Sequence, residues 1–177
     1  MSEKKIASLG IQNPIPYREL DSEASDRLVD IICYCLNPNH YHLLLRPRTE
    51  NSISKFMHKL GLGYTNYFNA KYNRSGSLFQ GKYKYKPITS TYGLMKGSVY
   101  VNCNAEIHGI AKAESWIWSS YLDYIDRRNG TLCNKKDVYE EFINIEEIKK
   151  SKEYINFCNE LIPEIRTVKN LKKWKLE

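Results

Sequence analysis

The sequence predicts an α+β fold, in which an antiparallel sheet carries helices packed on one face. Residues 28–36 form an apolar run, LVDIICYCL, whose β-branched and aromatic residues favour a buried strand. Residues 40–46, HYHLLLR, predict a second strand. Because Asn37-Pro38-Asn39 between the two runs has the chemistry of a turn, we expect the strands to form a hairpin.

Helices are predicted after the hairpin. In residues 51–73, apolar side chains recur at the spacing of a helix face. A second helix is predicted from Ser90 to Ile107, with a Ser-Thr pair at its start to cap the first turn. Residues 135–177 predict one or two charged helices with a break at Pro163, because an internal proline removes a backbone hydrogen bond.

Charge and cysteine content narrow the class of protein. The chain has 27 lysines and arginines against 20 acidic residues, a net charge of +7, which favours a polyanionic partner such as nucleic acid. An odd number of cysteines, five, and no apolar leader at the start predict free thiols in a reducing cytoplasm. No apolar run reaches the roughly 20 residues that a membrane span needs.

Two pairs of residues are candidates for chemistry. His40 and His42 are two apart on a predicted strand, so both imidazoles lie on one face and can reach one metal ion. Tyr100 and Asn104 are four apart on a predicted helix and share a face, and Lys96 extends that stripe by one turn. Each pair taken alone is also compatible with a purely structural role.

A zinc site is an alternative interpretation of the hairpin. Cys33 and Cys35 with His40 and His42 would supply a Cys₂His₂ set, although the gap between the cysteines is shorter than in common zinc motifs. The two cysteines are also explained as small hydrophobic residues of a buried strand. The motifs G-x-S-x-G, G-x-x-x-x-G-K-[ST] and H-E-x-x-H are absent from the sequence.

Four segments, in order along the chain, resemble the HUH single-tyrosine transposases of insertion sequences, and most closely the REP-associated members. Residues 31–46, IICYCLNPNHYHLLLR, are similar to the HUH signature of histidine, a bulky apolar residue and histidine. Residues 64–88, 100–109 and 118–121 continue the resemblance, which spans roughly residues 28–125.

The resemblance implies a ferredoxin-like core and assigns roles to residues. Tyr100 falls on the position of the nucleophile, and Asn104 on the residue that completes a metal site with His40 and His42. Ala105 stands where the usual stretch of the family has proline. Neutral imidazole with an oxygen ligand and open positions suits Mg²⁺ or Mn²⁺ better than a closed thiolate site would.

The resemblance also suggests a division of the chain. Residues 1–27 are expected to be an irregular segment without the strand and helix that relatives usually carry there, as in an N-terminally truncated relative. Residues 28–130 would form the catalytic domain and residues 131–177 a charged helical extension.

The function predicted in this way is a metal-dependent transposase that cuts and rejoins single-stranded or hairpin DNA through a 5′-phosphotyrosine, with a homodimer as one arrangement. The alternatives are a non-catalytic relative that binds DNA hairpins and a zinc-stapled interaction domain. The basic residues predicted to contact DNA phosphates are Lys55, Lys59, Arg74, Lys82, Lys84, Lys86 and Lys96.

Overall fold

The structure is a computed structural model that describes residues 27–142 and 146–174. Contacts divide the chain into two compact units. The described part of the first unit comprises residues 27–29 and 47–85, and that of the second unit residues 30–46, 86–142 and 146–174. The expected irregular segment over residues 1–27 lies, except for its last residue, outside the described residues.

The predicted hairpin is confirmed. Strands β1 (Val29–Leu36) and β2 (Tyr41–Pro47) form a two-stranded antiparallel sheet in the described part of the chain. The turn between them is closed by the Asn37 N–H, which donates to the His40 carbonyl oxygen over 2.8 Å. The hairpin therefore places His40 at the entry to β2.

A later segment covers the other edge of β1. Cys35 forms an antiparallel bridge with Ser119, the Leu36 N–H donates to the Trp118 carbonyl oxygen over 2.8 Å, and the Ser120 N–H donates to that of Tyr34 over 3.0 Å. These contacts satisfy backbone groups that an open sheet edge would expose. The α+β class is confirmed, whereas the ferredoxin-like sheet, which has more strands than the two described, stays a prediction.

Two helices follow the sheet close to their predicted positions. Helix α1 spans Ser52–Tyr72 and helix α2 spans Thr91–Asn102. Ser90 caps α2 as expected, because its hydroxyl accepts from the Gly93 N–H over 3.1 Å. The predicted helix to Ile107 is interrupted at Cys103, and the remaining helices are α3 (Asn104–Ile107), a 3₁₀ turn (Ala113–Ser115), α4 (Tyr121–Tyr124), α5 (Lys136–Tyr139) and α6 (Glu147–Trp174).

The predicted break at Pro163 is wrong, because α6 continues through this residue. A proline inside a helix costs about 3 kcal/mol. Apolar residues of α6 on both sides of Pro163 are buried in the core of the second unit, among them Cys158, Leu161 and Ile165. Burial of these side chains offsets the missing hydrogen bond, so tertiary packing decides the course of the helix.

The alternation of Lys82, Lys84 and Lys86 with Tyr83 and Tyr85 in residues 78–88 predicts a strand with the lysines on one face. In the structure this Lys-Tyr segment is irregular. Among the described residues no second strand pairs with it. Gly81 has φ +158° and Pro87 has no backbone N–H to donate, so the segment is also poorly suited to a continuous ladder. Its lysines and tyrosines are all exposed.

A buried polar network fixes α2 within the second unit. The Asn102 side chain donates to the Tyr154 hydroxyl on α6 over 2.8 Å, and its Oδ1 accepts from the Ser120 hydroxyl over 2.6 Å. Tyr154 in turn donates to the Ser98 hydroxyl over 3.1 Å. These side chains are fully buried and hydrogen-bonded, so they hold the tyrosine-bearing helix in one position relative to the core.

Candidate active site

The two histidines of the hairpin are in contact. The ring centroids of His40 and His42 lie 5.1 Å apart, with the rings nearly perpendicular. His40 is exposed and His42 is half-buried. The turn at residues 37–40 and the start of β2 thus present two imidazoles side by side at the surface of the second unit.

The hydrogen bonds of His40 define its tautomer. The Nδ1 atom lies 2.7 Å from the side-chain oxygen of Asn39, which can only accept. Its Nε2 atom lies 3.0 Å from the side-chain nitrogen of Asn37, which can only donate. Nδ1 therefore carries the proton, and Nε2 keeps the lone pair that a metal ligand needs.

Asn104 is brought to the same place. The Asn37 amide nitrogen that contacts His40 also donates to Asn104 Oδ1 over 2.7 Å. The lone pairs of His40 Nε2 and Asn104 Oδ1 thus converge on one point, although the residues are 64 positions apart in the sequence. The Asn37 amide is oriented from its other end by the Cys35 thiol, which donates to its Oδ1 over 3.5 Å.

The candidate nucleophile lies against this group. The Tyr100 ring contacts the His42 ring edge-on, with the centroids 5.4 Å apart. One turn along, the buried side chain of Asn104 donates to the Tyr100 carbonyl oxygen over 3.3 Å. Helix α2 and the start of α3 thereby place the phenol and the amide beside the histidine pair.

A third histidine, His108, was missed by the sequence reasoning. One ligand atom from each of His40, His42 and His108 lies within 4.8 Å of the others, and the His40 and His108 rings are 5.8 Å apart. The spacing of four between Asn104 and His108 repeats that between Tyr100 and Asn104. This periodicity would have predicted His108 on the same face.

The cysteines do not join this cluster. Cys33 and Cys35 are buried in β1, and burial raises the pKa of both thiols above the usual range. All five cysteines are free. The group of three histidines contains no cysteine, so the geometry favours imidazole ligands over the Cys₂His₂ alternative.

The donor set fits a divalent cation. It consists of the imidazole nitrogens of the histidine group and the amide oxygen of the buried Asn104, which Asn37 links to His40. Neutral nitrogen and oxygen ligands with accessible positions are typical of catalytic rather than structural metal sites. His40, His42 and Asn104 therefore have the chemistry expected of a metal-binding set.

Three predicted DNA-contacting residues of the first unit lie on α1 or just beyond it. Lys55 and Lys59 line an open pocket together with His58. Arg74 follows the end of α1, and its guanidinium lies 5.6 Å from the centre of the Phe68 ring. These side chains offer positive charge beside apolar and aromatic surface.

The remaining predicted contacts differ in their partners. Lys82, Lys84 and Lys86 are exposed in the irregular Lys-Tyr segment of residues 78–88. Lys96 forms an ion pair with Glu164 of α6, with a separation of 2.6 Å. The charge of Lys96 is therefore partly compensated within the protein, so less of it is available for the predicted contact with DNA phosphates.

Comparison with known protein families supports a DNA transposase as the class of this protein. Residues 18–103 match the family model described as "Transposase IS200 like", and this match supports an insertion-sequence tyrosine transposase. The matched residues include His40, His42 and Tyr100, whereas Asn104 and His108 follow them. The closer resemblance to REP-associated members stays a prediction. No curated protein and no solved structure matches the chain.

Proposed function

We propose that the chain is a metal-dependent endonuclease and strand transferase for single-stranded or hairpin DNA, with Tyr100 as its nucleophile. DNA is the substrate class of the transposase family. The observation that carries the proposal is the contact between the Tyr100 and His42 rings, with centroids 5.4 Å apart. In this contact the phenol ring of α2 lies against the histidine pair of the hairpin.

In this proposal His40, His42 and Asn104 hold Mg²⁺ or Mn²⁺. A bound divalent ion supplies positive charge that polarises a phosphate and offsets charge developing during displacement. The proton on His40 Nδ1 is held by Asn39 at 2.7 Å, which keeps Nε2 available as a ligand. Asn104 is buried, so its backbone position is fixed by the core.

Tyr100 carries the covalent step. Its hydroxyl oxygen attacks the phosphorus, forms a 5′-phosphotyrosine and displaces the 3′-oxygen of the cut strand, while the phenolic proton passes to solvent. The phosphotyrosine ester retains the energy of the broken bond. Rejoining to another 3′-hydroxyl therefore needs no nucleotide cofactor.

The position of Tyr100 is supported from the opposite side of α2. Asn102, two residues later, is held by Tyr154 and Ser120 through hydrogen bonds of 2.8 and 2.6 Å. A nucleophile on a helix that is fixed in this way is positioned more precisely than one on a loop. The network thus supports an in-line attack that tolerates little displacement.

The proposal also covers the way in which DNA is bound and the cellular location of the protein. Exposed lysines of the Lys-Tyr segment, residues 78–88, would bind the phosphates of a DNA strand, and its exposed tyrosines would stack on unpaired bases. In the described residues no helix has the length and apolar character needed to cross a bilayer. We propose that the protein acts in the cytoplasm, alone or as a homodimer.

The test is covalent capture of DNA. The purified chain is incubated with Mn²⁺ and labelled single-stranded hairpins from the sequences that flank its gene, and adducts are resolved on a denaturing gel. We expect an adduct that requires the metal and disappears in Tyr100→Phe. Tyr92→Phe is the matched control, because Tyr92 is an exposed tyrosine on the same helix.

Two results would contradict the proposal. An adduct that persists in Tyr100→Phe would exclude this tyrosine as the nucleophile. Salt-sensitive binding of the same hairpins without any adduct would instead favour the non-catalytic hairpin-binding alternative.

A further inference from the structure

We propose that His108 is a third imidazole ligand of the metal centre, and that the centre consequently binds Zn²⁺, Co²⁺ and Ni²⁺ more tightly than Mg²⁺. This inference rests on the metal site of the proposed function and identifies the class of ion that this site prefers.

The separations allow the three histidines to share one ion. Two nitrogens bound to the same ion at about 2.0–2.1 Å are at most about 4.2 Å apart. The ligand atoms of His40, His42 and His108 already lie within 4.8 Å of one another without an ion. In a tetrahedral set the nitrogens are about 3.4 Å apart, so a contraction of up to about 1.4 Å between pairs, by side-chain rotation, closes the set around a metal.

The backbone places His108 toward the group. It follows α3 directly, and its N–H donates to the Asn104 carbonyl oxygen over 3.0 Å. Tyr100, Asn104 and His108 are therefore spaced by one turn each, although the chain is interrupted at Cys103. Gly109 has φ +70°, a left-handed conformation typical of a residue just past a helix end, and it ends this turn immediately after His108.

The end of α3 is held from three directions. The Glu106 carboxylate accepts from the Ala113 N–H and the Lys112 side chain, each over 2.9 Å. The Arg166 guanidinium of α6 donates to the Glu106 carbonyl oxygen. These contacts fix the backbone two residues before His108, and with it the point from which the exposed imidazole reaches the site.

The ligand chemistry decides the choice of ion. Mg²⁺ prefers oxygen ligands and gives up its water reluctantly. Imidazole suits Zn²⁺, Ni²⁺ and related ions, whose affinity for nitrogen ligands exceeds that of Mn²⁺. A set of three imidazoles and one amide oxygen therefore favours these ions, whereas two imidazoles and one amide leave Mg²⁺ or Mn²⁺ as plausible occupants.

The experiment is a titration of the reduced full-length protein with Co²⁺, followed by the visible absorption of the bound ion and by competition with Zn²⁺ and Mg²⁺. We expect His108→Ala and His108→Gln to weaken Co²⁺ and Zn²⁺ binding by at least about tenfold and to change the Co²⁺ spectrum. Binding of Mg²⁺ should change less than twofold. His58→Ala is the matched control, because His58 is a histidine of the first unit on α1.

Three outcomes overturn the inference: Co²⁺ binding that does not depend on His108, wild-type protein that prefers Mg²⁺, or a thiolate-to-metal absorption band from a cysteine ligand. The covalent DNA adduct with Mn²⁺ is measured in parallel. Loss of the adduct with intact His108-dependent Co²⁺ binding would contradict only the strand-transfer proposal, so the two failures are distinguishable.

Discussion

Asn37 donates to Asn104 across 2.7 Å and thereby joins the turn of the hairpin to the helix that follows the tyrosine. The same amide nitrogen lies 3.0 Å from His40 Nε2. Its two hydrogens thus satisfy the two lone pairs that, in our proposal, a metal ion would use. The Asn37 amide and a metal ion compete for these ligand atoms.

Removal of Asn37 is therefore expected to tighten metal binding. In Asn37→Ala, an ion would no longer have to displace two hydrogen bonds, each with a net stability of about 0.5–1.5 kcal/mol. We expect the affinity for Mn²⁺ to rise by at least about fivefold, since the two bonds together amount to about 1–3 kcal/mol and about 1.4 kcal/mol corresponds to a factor of ten. Isothermal titration calorimetry of the metal-free protein measures this change.

Asn37→Ala should, in contrast, lower the stability of the metal-free protein. Loss of the link between Asn37 and Asn104 should lower the melting temperature without metal, and saturating Mn²⁺ should restore part of the difference. Asn129→Ala serves as a control, because Asn129 is an exposed asparagine outside the site. Weaker Mn²⁺ binding in Asn37→Ala would show that Asn37 organises the ligands instead of competing for them.

A second prediction concerns the buried network behind the tyrosine. Tyr154→Phe removes the hydroxyl that joins Asn102 to Ser98 and leaves the Asn102 amide without this acceptor in the core. We expect the free energy of unfolding to fall by about 1–3 kcal/mol, because a buried donor that loses its partner retains its desolvation cost. Denaturant unfolding measures the loss.

The control for this network is Tyr92→Phe on α2. Tyr92 is 57% exposed, and surface substitutions usually change stability by no more than about 0.5 kcal/mol. Equal stability of the Tyr154→Phe variant and the wild type would mean that the network does not contribute to holding α2.

The hairpin, the two long helices before residue 110 and the Ser90 cap could all be predicted from local sequence. Each depends on a short-range signal: an apolar run, a turn tripeptide, a helical period or a capping hydroxyl. The convergence of His40 with Asn104 could not be derived from spacing, because it depends on how a strand and a helix 64 residues apart pack. The resemblance to transposases predicted that pairing, and Asn37 and His108 were missed.

The failures at Pro163 and in residues 78–88 share a physical cause. In both places a local preference competes with contacts made elsewhere in the chain. Burial of α6 on either side of Pro163 overrides the helix-breaking tendency of proline. The alternation of lysine and tyrosine favours a strand only where a neighbouring strand completes the ladder, and the described sheet supplies none for residues 78–88.

A third prediction separates the basic residues by their partners. Lys82, Lys84 and Lys86 are exposed, so we expect the triple alanine variant to reduce the slope of log affinity for single-stranded DNA against log salt by about 2, at about 0.7 per phosphate contact. Lys96→Ala should reduce the slope by less than about 0.5, because Lys96 is paired with Glu164 at 2.6 Å. Fluorescence anisotropy at several salt concentrations measures both slopes.

A matched control for the lysine variants is Lys136→Ala, since Lys136 is also exposed but lies on α5 beside Glu140. An unchanged salt slope in the triple variant would remove residues 82–86 from the DNA-binding surface. A slope reduced by about 0.7 in Lys96→Ala would instead show that the ion pair with Glu164 opens when DNA binds.

The segment that covers the edge of β1 is held by an ion pair between Asp123 and Arg128. Two nitrogens of the guanidinium each lie 2.7 Å from a different oxygen of the carboxylate. Arg128 also donates to the carbonyl oxygens of Ser119 and Ile117, over 2.6 and 2.8 Å. The hydrogen bonds to Asp123 raise the pKa of Arg128 above its usual value, so the guanidinium stays charged.

Loss of this arginine should destabilise the fold more than loss of its neighbour. In Arg128→Met the Asp123 carboxylate, only 4% exposed, loses its main charged partner, and we expect a loss of about 3 kcal/mol in the free energy of unfolding. Arg127→Met removes an ion pair with Glu114 in which both side chains are 59% exposed, and should cost less than about 1 kcal/mol. Guanidinium chloride unfolding of the two variants provides the comparison. Similar losses in both would mean that the pair between Asp123 and Arg128 is screened by water, and that the backbone ladder from residues 118–120 holds this edge of β1 without it.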